Sequence, residues 1–164
     1  MKWVTRENAN VDRVACPWLI RRFVDPDAVF LFVPRDQVMD VAQREGAIPY
    51  DVPGAELGHV EGRCSFESIM VKYVLTGDLG LVELAKIVHA ADVPADIDAS
   101  PEGRGLRAIA EGFALVHGLD DQKKIELETP MYEALYAWCL GKASVQDEYL
   151  PGTDSSGNEV GGEG

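Results

Sequence analysis

Residues that can bind a metal ion are concentrated in one glycine-rich stretch and near the end of a predicted helix. His59 lies in the segment GHVEGRCSFE with Glu67 close behind it, and Asp92 follows His89 by three residues. Imidazole suits zinc, copper, iron or nickel, whereas carboxylates suit harder ions. His59, Glu67, His89 and Asp92 together would supply enough ligands for one site for a divalent transition metal of unknown identity, if the loop folds onto the helix end. Alternatively, Glu67 only complements a helix dipole and Asp92 only caps its helix.

A second candidate stretch, VDRVACPWLIRRFVD at residues 11–25, combines a cysteine, a proline and paired arginines. If its helix begins at Pro17, Cys16 is the N-cap, and the helix dipole and Arg13 would lower the pKa of its thiol. If the helix begins at Asp12 and tolerates a kink at the proline, Cys16 is a packing residue. The sequence leaves both alternatives open.

Two adjacent arginines of this stretch, Arg21 and Arg22, are candidate ligands of an oxyanion. The planar guanidinium fork suits tetrahedral or planar oxyanions. Adjacent residues of a helix point about 100° apart, so Arg21 and Arg22 cannot both face one site. The alternative is that both are solvated surface residues.

Composition and charge exclude several classes of function. The 164-residue chain has 15 basic and 28 acidic residues and a formal net charge of −13, so we predict no direct binding of nucleic acid. No apolar run approaches the roughly 18 residues of a membrane span, and the N-terminus lacks an apolar signal core. Three cysteines without a CxxC pair indicate a reducing compartment. We therefore expect a cytoplasmic protein that does not bind membranes.

The elements that must position these residues change in type along the chain. KWVT, AVFLFVP and AIPYDVP are predicted strands separated by helices, and that alternation favours parallel pairs joined by right-handed crossovers. Asp36 is the predicted cap of the second helix, and Gly46 its predicted end. Four helices are predicted to follow: SFESIMVKYVL, LGLVELAKIVHAA, GLRAIAEGFALVHG and residues 121–141. The sequence thus predicts a mixed α/β fold, mostly helical, with a small three-stranded sheet from the N-terminal half and a helical C-terminal half.

The domain organisation follows from a shift in composition near residue 141. Residues 1–141 are predicted to form a single globular domain. Residues 142–164 are rich in Gly and Ser and carry five acidic residues against one lysine. That composition predicts a flexible acidic tail.

At this point several strings together resemble a known family. KWVTRENANVDRVACPWLIRRFVDPDAVFLFVP, IPYDVPGAELGHVEGRCSFE, the AD of HAAD and MYEALYAWC are similar, in that order, to the chromate-resistance protein family, the domain that also forms the C-terminal part of ChrB regulators of chromate efflux operons. The resemblance covers about residues 2–140. It implies a link with chromate resistance or with chromate-dependent control of an exporter.

The resemblance also implies which positions matter. His89 stands where the family usually has arginine, so it is set aside as a general ligand, and His59, Glu67 and Asp92 remain as the predicted metal ligands. The matching positions are Arg13, Cys16, Pro17, Trp18, Arg21 and Arg22 in the first motif, His59, Cys64, Phe66 and Glu67 in the second, and the acidic positions Asp92 and Glu133.

Three functional hypotheses follow. The first is a cytoplasmic chromate-responsive sensor or accessory factor. It binds chromate, a similar small oxyanion or a divalent metal through Arg13, Arg21 or Arg22 and the His59 loop. The second is an enzyme that uses a metal held by its histidine and carboxylates on a small molecule. The third is chromate reduction by the thiolates of Cys16 and Cys64, with Arg21 holding the anion. Whether the protein is an enzyme or a homo-oligomer stays open.

Overall fold

A computed structural model describes residues 1–148, with side chains to residue 145. Its first part alternates strands and helices: β1 (Lys2–Arg6), α1 (Val11–Phe23), β2 (Val29–Val33), α2 (Val38–Glu45) and β3 (Ile48–Pro49). Four helices follow: α3 (Ser65–Lys72), α4 (Leu79–Asp92), α5 (Pro101–His117) and α6 (Asp121–Glu148). This order confirms the predicted mixed fold with a small sheet and a helical C-terminal half.

The three strands form one parallel sheet in the order β2-β1-β3. Successive side chains of a strand point to opposite faces. Trp3 accordingly enters the large core, which includes residues of α1, whereas Val4 enters a small core with Val38 and Val41 of α2. The sheet is therefore covered on both faces, as parallel sheets require.

Helix α1 begins before its proline. Asn10 is the N-cap, and its side chain accepts a hydrogen bond from the backbone N–H of Val11 at 3.0 Å. Pro17 lies inside the helix and has no N–H for the carbonyl of Arg13. The hydroxyl of Tyr50 donates to that carbonyl at 3.4 Å. The alternative in which the helix begins at Pro17 is therefore wrong, and a tertiary hydrogen bond partly replaces the lost helical one.

Of the two predicted boundaries of α2, one is confirmed and one is displaced. Gly46 ends α2 in the left-handed conformation as predicted, with φ 62°. Asp36, in contrast, does not cap α2, because a short 3-10 turn over Arg35–Gln37 precedes that helix. Helix α6 runs to Glu148, so the predicted domain boundary at residue 141 lies within it. The rest of the predicted tail, residues 149–164, lies outside the described residues.

Helix α4 is the centre of the helical part and packs against α1, α3, α5 and α6. Its contact with α5 is close, because a Cβ added at Gly103 would lie 2.7 Å from the Cβ of Ala90. This packing places the C-terminal end of α4 beside the start of α1, where the backbone N of Asp12 lies 3.4 Å from Oδ1 of Asp92. None of the described helices has the length and apolar character needed to cross a bilayer.

Candidate functional site

Three carboxylates and one imidazole meet at the carboxyl edge of the sheet. Asp12 lies in the first turn of α1, Asp51 follows β3, His59 lies in the loop before α3, and Asp92 is the last residue of α4. In parallel sheets, ligands bind beyond the carboxyl ends of the strands, where the direction of the connections reverses. The strand order β2-β1-β3 puts that point between β1 and β3. Asp12 and Asp51 flank it.

His59 is the centre of this cluster. Its Nε2 atom lies 3.0 Å from Oδ2 of Asp92, 3.4 Å from Oδ1 of Asp51 and 3.6 Å from Oδ2 of Asp12. One ligand atom from each of Asp12, His59 and Asp92 lies within 4.8 Å of the others. The imidazole is half exposed, whereas the three carboxylates are largely or fully buried. This geometry suits one metal ion that is reached from the histidine side.

Asp12 is fixed by the start of another helix. Its carboxylate accepts hydrogen bonds from the backbone N–H groups of Ser65 at 2.6 Å and Phe66 at 3.0 Å. These are the first amides of α3, which have no partner within that helix. The carboxylate therefore caps α3 from α1, in a position that the helix dipole also favours.

Asp51 is held by two arginines. Its Oδ2 atom accepts from Nη2 of Arg6 and Nη1 of Arg13, both at 3.0 Å, and its Oδ1 atom accepts from the hydroxyl of Ser65 at 3.1 Å. The residue has φ 48°, a left-handed backbone that is uncommon without glycine. Burial acts to raise the pKa of Asp51, but the hydrogen bond from His59 and the charges of Arg13 and Arg6 lower it overall. Asp51 thus orients the cluster, and its own charge is already matched.

The cluster retains protons at neutral pH. Hydrogen bonding to Asp12 and Asp51 raises the pKa of His59 to about 10. Burial, together with the charges of Asp12 and Asp51, raises the pKa of Asp92 to about 7. Both shifts arise because negative charge is concentrated in a partly buried space. A protonated imidazole therefore offsets this charge, and a metal cation bound there would take over that role.

Glu67 lies in a neighbouring group instead of the main cluster. Its Oε2 atom accepts from the backbone N–H of Cys64 at 2.8 Å and lies 2.7 Å from Nδ1 of His89. The other ring nitrogen of His89 lies 2.8 Å from Oδ2 of Asp96. The side chains of Cys64, Glu67 and His89 form a second set with ligand spacing. The predicted trio is therefore divided, and His89, which was set aside, has a defined partner.

The thiols of the first two cysteines are buried beside carboxylates. Burial, followed by the charge of Asp12, raises the pKa of both Cys16 and Cys64 above the usual thiol range. Arg13, expected to activate Cys16, pairs with Asp51 instead. Cys16 therefore occupies the packing position that the longer helix implies, without the electropositive surroundings of a reactive thiol.

The three candidate arginines have separate partners. Two nitrogens of Arg21 donate to the carbonyl of Ala28 at 3.3 Å, and its guanidinium lies 5.0 Å from the ring centroid of Phe30. Arg22 contacts Glu133 at 3.5 Å on the surface. Because Arg13 is engaged with Asp51, the three arginines do not converge on one anion site.

A cavity of about 620 Å³ opens beside the cluster. His59 and Asp51 form part of its wall, so a small molecule in the cavity would contact the cluster directly. The cavity is lined by Arg6, Asp51, Val52, Pro53, Gly54, Ala55, Glu56, His59 and Val60.

Sequence reasoning missed Asp12, Asp51 and Arg6 as site residues. A sequence signal existed for the first two, since Asp12 follows the first predicted strand and Asp51 lies near the end of the third, at the edge where parallel sheets bind ligands. Arg6 ends β1 and has the same signal. The contacts among the three join residues far apart in the chain, and no local pattern indicates them.

Comparisons with known proteins extend over most of the chain. A family model described as ChrB, C-terminal domain, matches residues 3–139. The Protein ChrB of Cupriavidus metallidurans strain CH34 is 40% identical over 112 residues, which are 68% of this chain and 32% of that protein. The chain thus matches about a third of the length of this relative. No solved structure matches the chain.

Proposed function

The chain belongs to the family of the ChrB C-terminal domain, and from that premise we propose that it is a metal-binding domain that serves chromate resistance as a sensor or accessory factor. The observation that carries the proposal is the convergence of Nε2 of His59 with the carboxylates of Asp12 and Asp92. These side chains come from a loop and two helices that are distant in sequence. Asp51 supports the set without being a direct ligand.

The donor set indicates the class of metal. Two carboxylates and one imidazole are harder than the thiolate sets of structural zinc sites, and they suit Mn²⁺ or Fe²⁺. Three protein ligands leave coordination positions for water or a small molecule. Asp12 is oriented by the amides of Ser65 and Phe66, the kind of outer hydrogen bonding that tunes metal ligands.

The charge of the cluster favours a cation over an oxyanion. Chromate is a dianion, and the carboxylates of Asp12 and Asp92 would repel it at this position. The nearest guanidinium groups, Arg6 and Arg13, are already paired with Asp51. The oxyanion hypothesis based on Arg13, Arg21 and Arg22 gains no support from their separate contacts. We therefore propose that chromate acts on this domain through the metal site or through its bound ligand.

A growth experiment tests the chromate role of this site. A chromate-sensitive host that lacks its own copy would express the wild-type chain, His59→Ala, Asp92→Asn or the control His117→Ala. His117 lies on α5 and stacks on Phe113, 5.9 Å between ring centroids. We expect the wild type and His117→Ala to restore growth on chromate, and the two site variants to fail at equal protein levels. Full restoration by both site variants would contradict the proposal.

A metal-dependent enzyme is the second candidate, because a cavity of small-molecule size opens onto the same residues. A catalytic metal keeps a position open for water or substrate, whereas a structural metal does not. The relaxation rate of water protons in Mn²⁺-loaded protein separates an open site from a closed one. No enhancement above the free ion would show a closed site and contradict an enzyme, whereas a strong enhancement would show the water that both an enzyme and the proposed three-ligand site require.

A further inference from the structure

We propose that the cavity beside the cluster binds an organic anion, with its anionic group between Arg6 and the metal and its apolar part against the wall of the loop at residues 52–60. This inference rests on the proposed metal site and names the class of ligand that the site would take. It differs from the oxyanion hypothesis of the sequence analysis in the binding residue and in the ligand. Arg6 was not a candidate there, and the ligand proposed here is larger than chromate.

Arg6 presents a fixed donor to the cavity. Its Nε atom donates to the carbonyl of Asp51 and its Nη2 atom to Oδ2 of the same residue, both at 3.0 Å. These two bonds hold the guanidinium plane in place. Its Nη1 atom has no hydrogen-bond partner among the side chains and backbone that the structure describes. A guanidinium held in this way loses little entropy when it binds a phosphate or carboxylate.

The volume of the cavity is larger than one tetrahedral oxyanion would fill. Its volume of about 620 Å³ lies within the range of roughly 300–1,000 Å³ typical of small-molecule sites. A single chromate or sulfate ion would leave most of it filled with water. The volume therefore favours an organic body attached to the anionic group.

The cavity wall has the chemistry for such a body. Its apolar residues are Val52, Pro53, Ala55 and Val60. The one further carboxylate of the wall belongs to Glu56, and Lys72 contacts it at 2.7 Å, so its repulsion of an anion is reduced. The wall thus combines apolar surface with one guanidinium N–H group, Nη1 of Arg6, that has no hydrogen-bond partner among the described residues.

The loop that forms this wall is held in one conformation. The hydroxyl of Ser68 donates to the carbonyl of Gly58 at 2.9 Å, and the backbone N–H of Asp51 donates to the carbonyl of Leu57 at 3.1 Å. A Cβ at Gly58 would lie 2.9 Å from the carbonyl oxygen of Val52, which shows how closely the loop folds on itself. The cavity is therefore formed before any ligand arrives.

Calorimetric titration of the Mn²⁺-loaded protein tests the inference. The probes are phenyl phosphate and benzoate, with sulfate as the inorganic comparison. The proteins are wild type, Arg6→Gln, the cavity-filling Val60→Trp, and the control Arg44→Gln, whose arginine is exposed on α2. The Mn²⁺ content of each sample is measured before titration.

We expect at least one organic probe to bind the wild type and Arg44→Gln about tenfold or more tightly than sulfate. The same probe should bind about tenfold or more weakly to Arg6→Gln and Val60→Trp, since each loses one of the two contacts. Val60→Trp leaves Arg6 and the metal ligands unchanged, so it tests the cavity even if Arg6→Gln disturbs Asp51. Wild-type protein that holds Mn²⁺ but binds neither organic probe more tightly than sulfate would overturn this inference alone. Wild-type protein that holds no Mn²⁺ would overturn it together with the proposed function.

Discussion

Nε2 of His59 lies 3.0 Å from Oδ2 of Asp92 and so joins the loop after β3 to the C-terminal end of α4. The same nitrogen faces Asp12 of α1 at 3.6 Å. Three segments that are distant in sequence thus meet at one atom. Since carboxylates that share a buried space repel each other, this arrangement needs a positive charge, which a proton supplies in the free protein and a metal ion would supply in the bound one.

Metal affinity should rise with pH. To bind the ion, His59 must lose a proton whose pKa is about 10, and Asp92 must be ionised although its pKa is about 7. Mn²⁺ binding should therefore release about two protons below pH 7 and about one between pH 7 and 10. Calorimetry in buffers of different ionisation enthalpy measures that number. An affinity that does not change between pH 6 and 9 would contradict the proposed ligands.

Whereas metal affinity should rise with pH, the contribution of His59 to the stability of the metal-free protein should fall as the pH rises. Because the pKa of His59 is raised from 6.5 to about 10 on folding, the folded state holds the proton more tightly. Its stabilising contribution is complete below pH 6.5 and is lost as the pH rises to about 10. Urea unfolding at pH 6.5 and at about pH 10 measures this loss. Between these two pH values the free energy of unfolding should fall more for wild type and His117→Ala than for His59→Ala. An equal loss in all three would contradict the assignment.

Replacing Asp12 should weaken the fold even without metal. In Asp12→Asn, one oxygen becomes an amide donor, so an N–H of Ser65 or Phe66 loses its acceptor in a buried place. We expect the free energy of unfolding to fall by about 1–3 kcal/mol. Asp27→Asn, at an exposed position, is the matched control and should change it by about 0.5 kcal/mol or less. Urea denaturation in the presence of a chelator measures both, and equal values for the two variants would contradict the capping role.

The three cysteines should be unreactive in the folded protein. All are buried, and burial raises the pKa of each thiol, that of Cys139 to about 11. An aromatic disulfide reagent should therefore label them only as fast as the protein unfolds, and quickly after denaturation. Rapid labelling of Cys16 or Cys64 under native conditions would instead favour the thiol-reduction hypothesis.

Much of the fold was predictable because its signals are local. The strand at AVFLFVP and the end of α2 at Gly46 follow from residue type and spacing, and the family resemblance is confirmed over most of the chain. The sequence left the start of α1 open, because a proline inside a helix removes a backbone hydrogen bond, and a distant residue must replace it. Here the hydroxyl of Tyr50, just after β3, donates to the carbonyl of Arg13.

The site was only partly predictable. His59 and Asp92 were chosen from residue type, and the fold brings them together. Glu67 was placed with them, but the capping geometry of α3 directs its carboxylate to Cys64 and His89. Asp12 was a possible start of α1 and not a candidate ligand, because its cap on α3 depends on packing between helices that the sequence does not specify.

The most direct test of the central claim is a calorimetric titration of chelator-treated protein with Mn²⁺ at neutral pH, for the wild type, His59→Ala and the control His117→Ala. The account predicts about one ion per chain in the wild type and the control, and binding at least about tenfold weaker in His59→Ala. Failure of the wild type to bind Mn²⁺, or equal affinity in His59→Ala, would contradict a metal site at His59, Asp12 and Asp92.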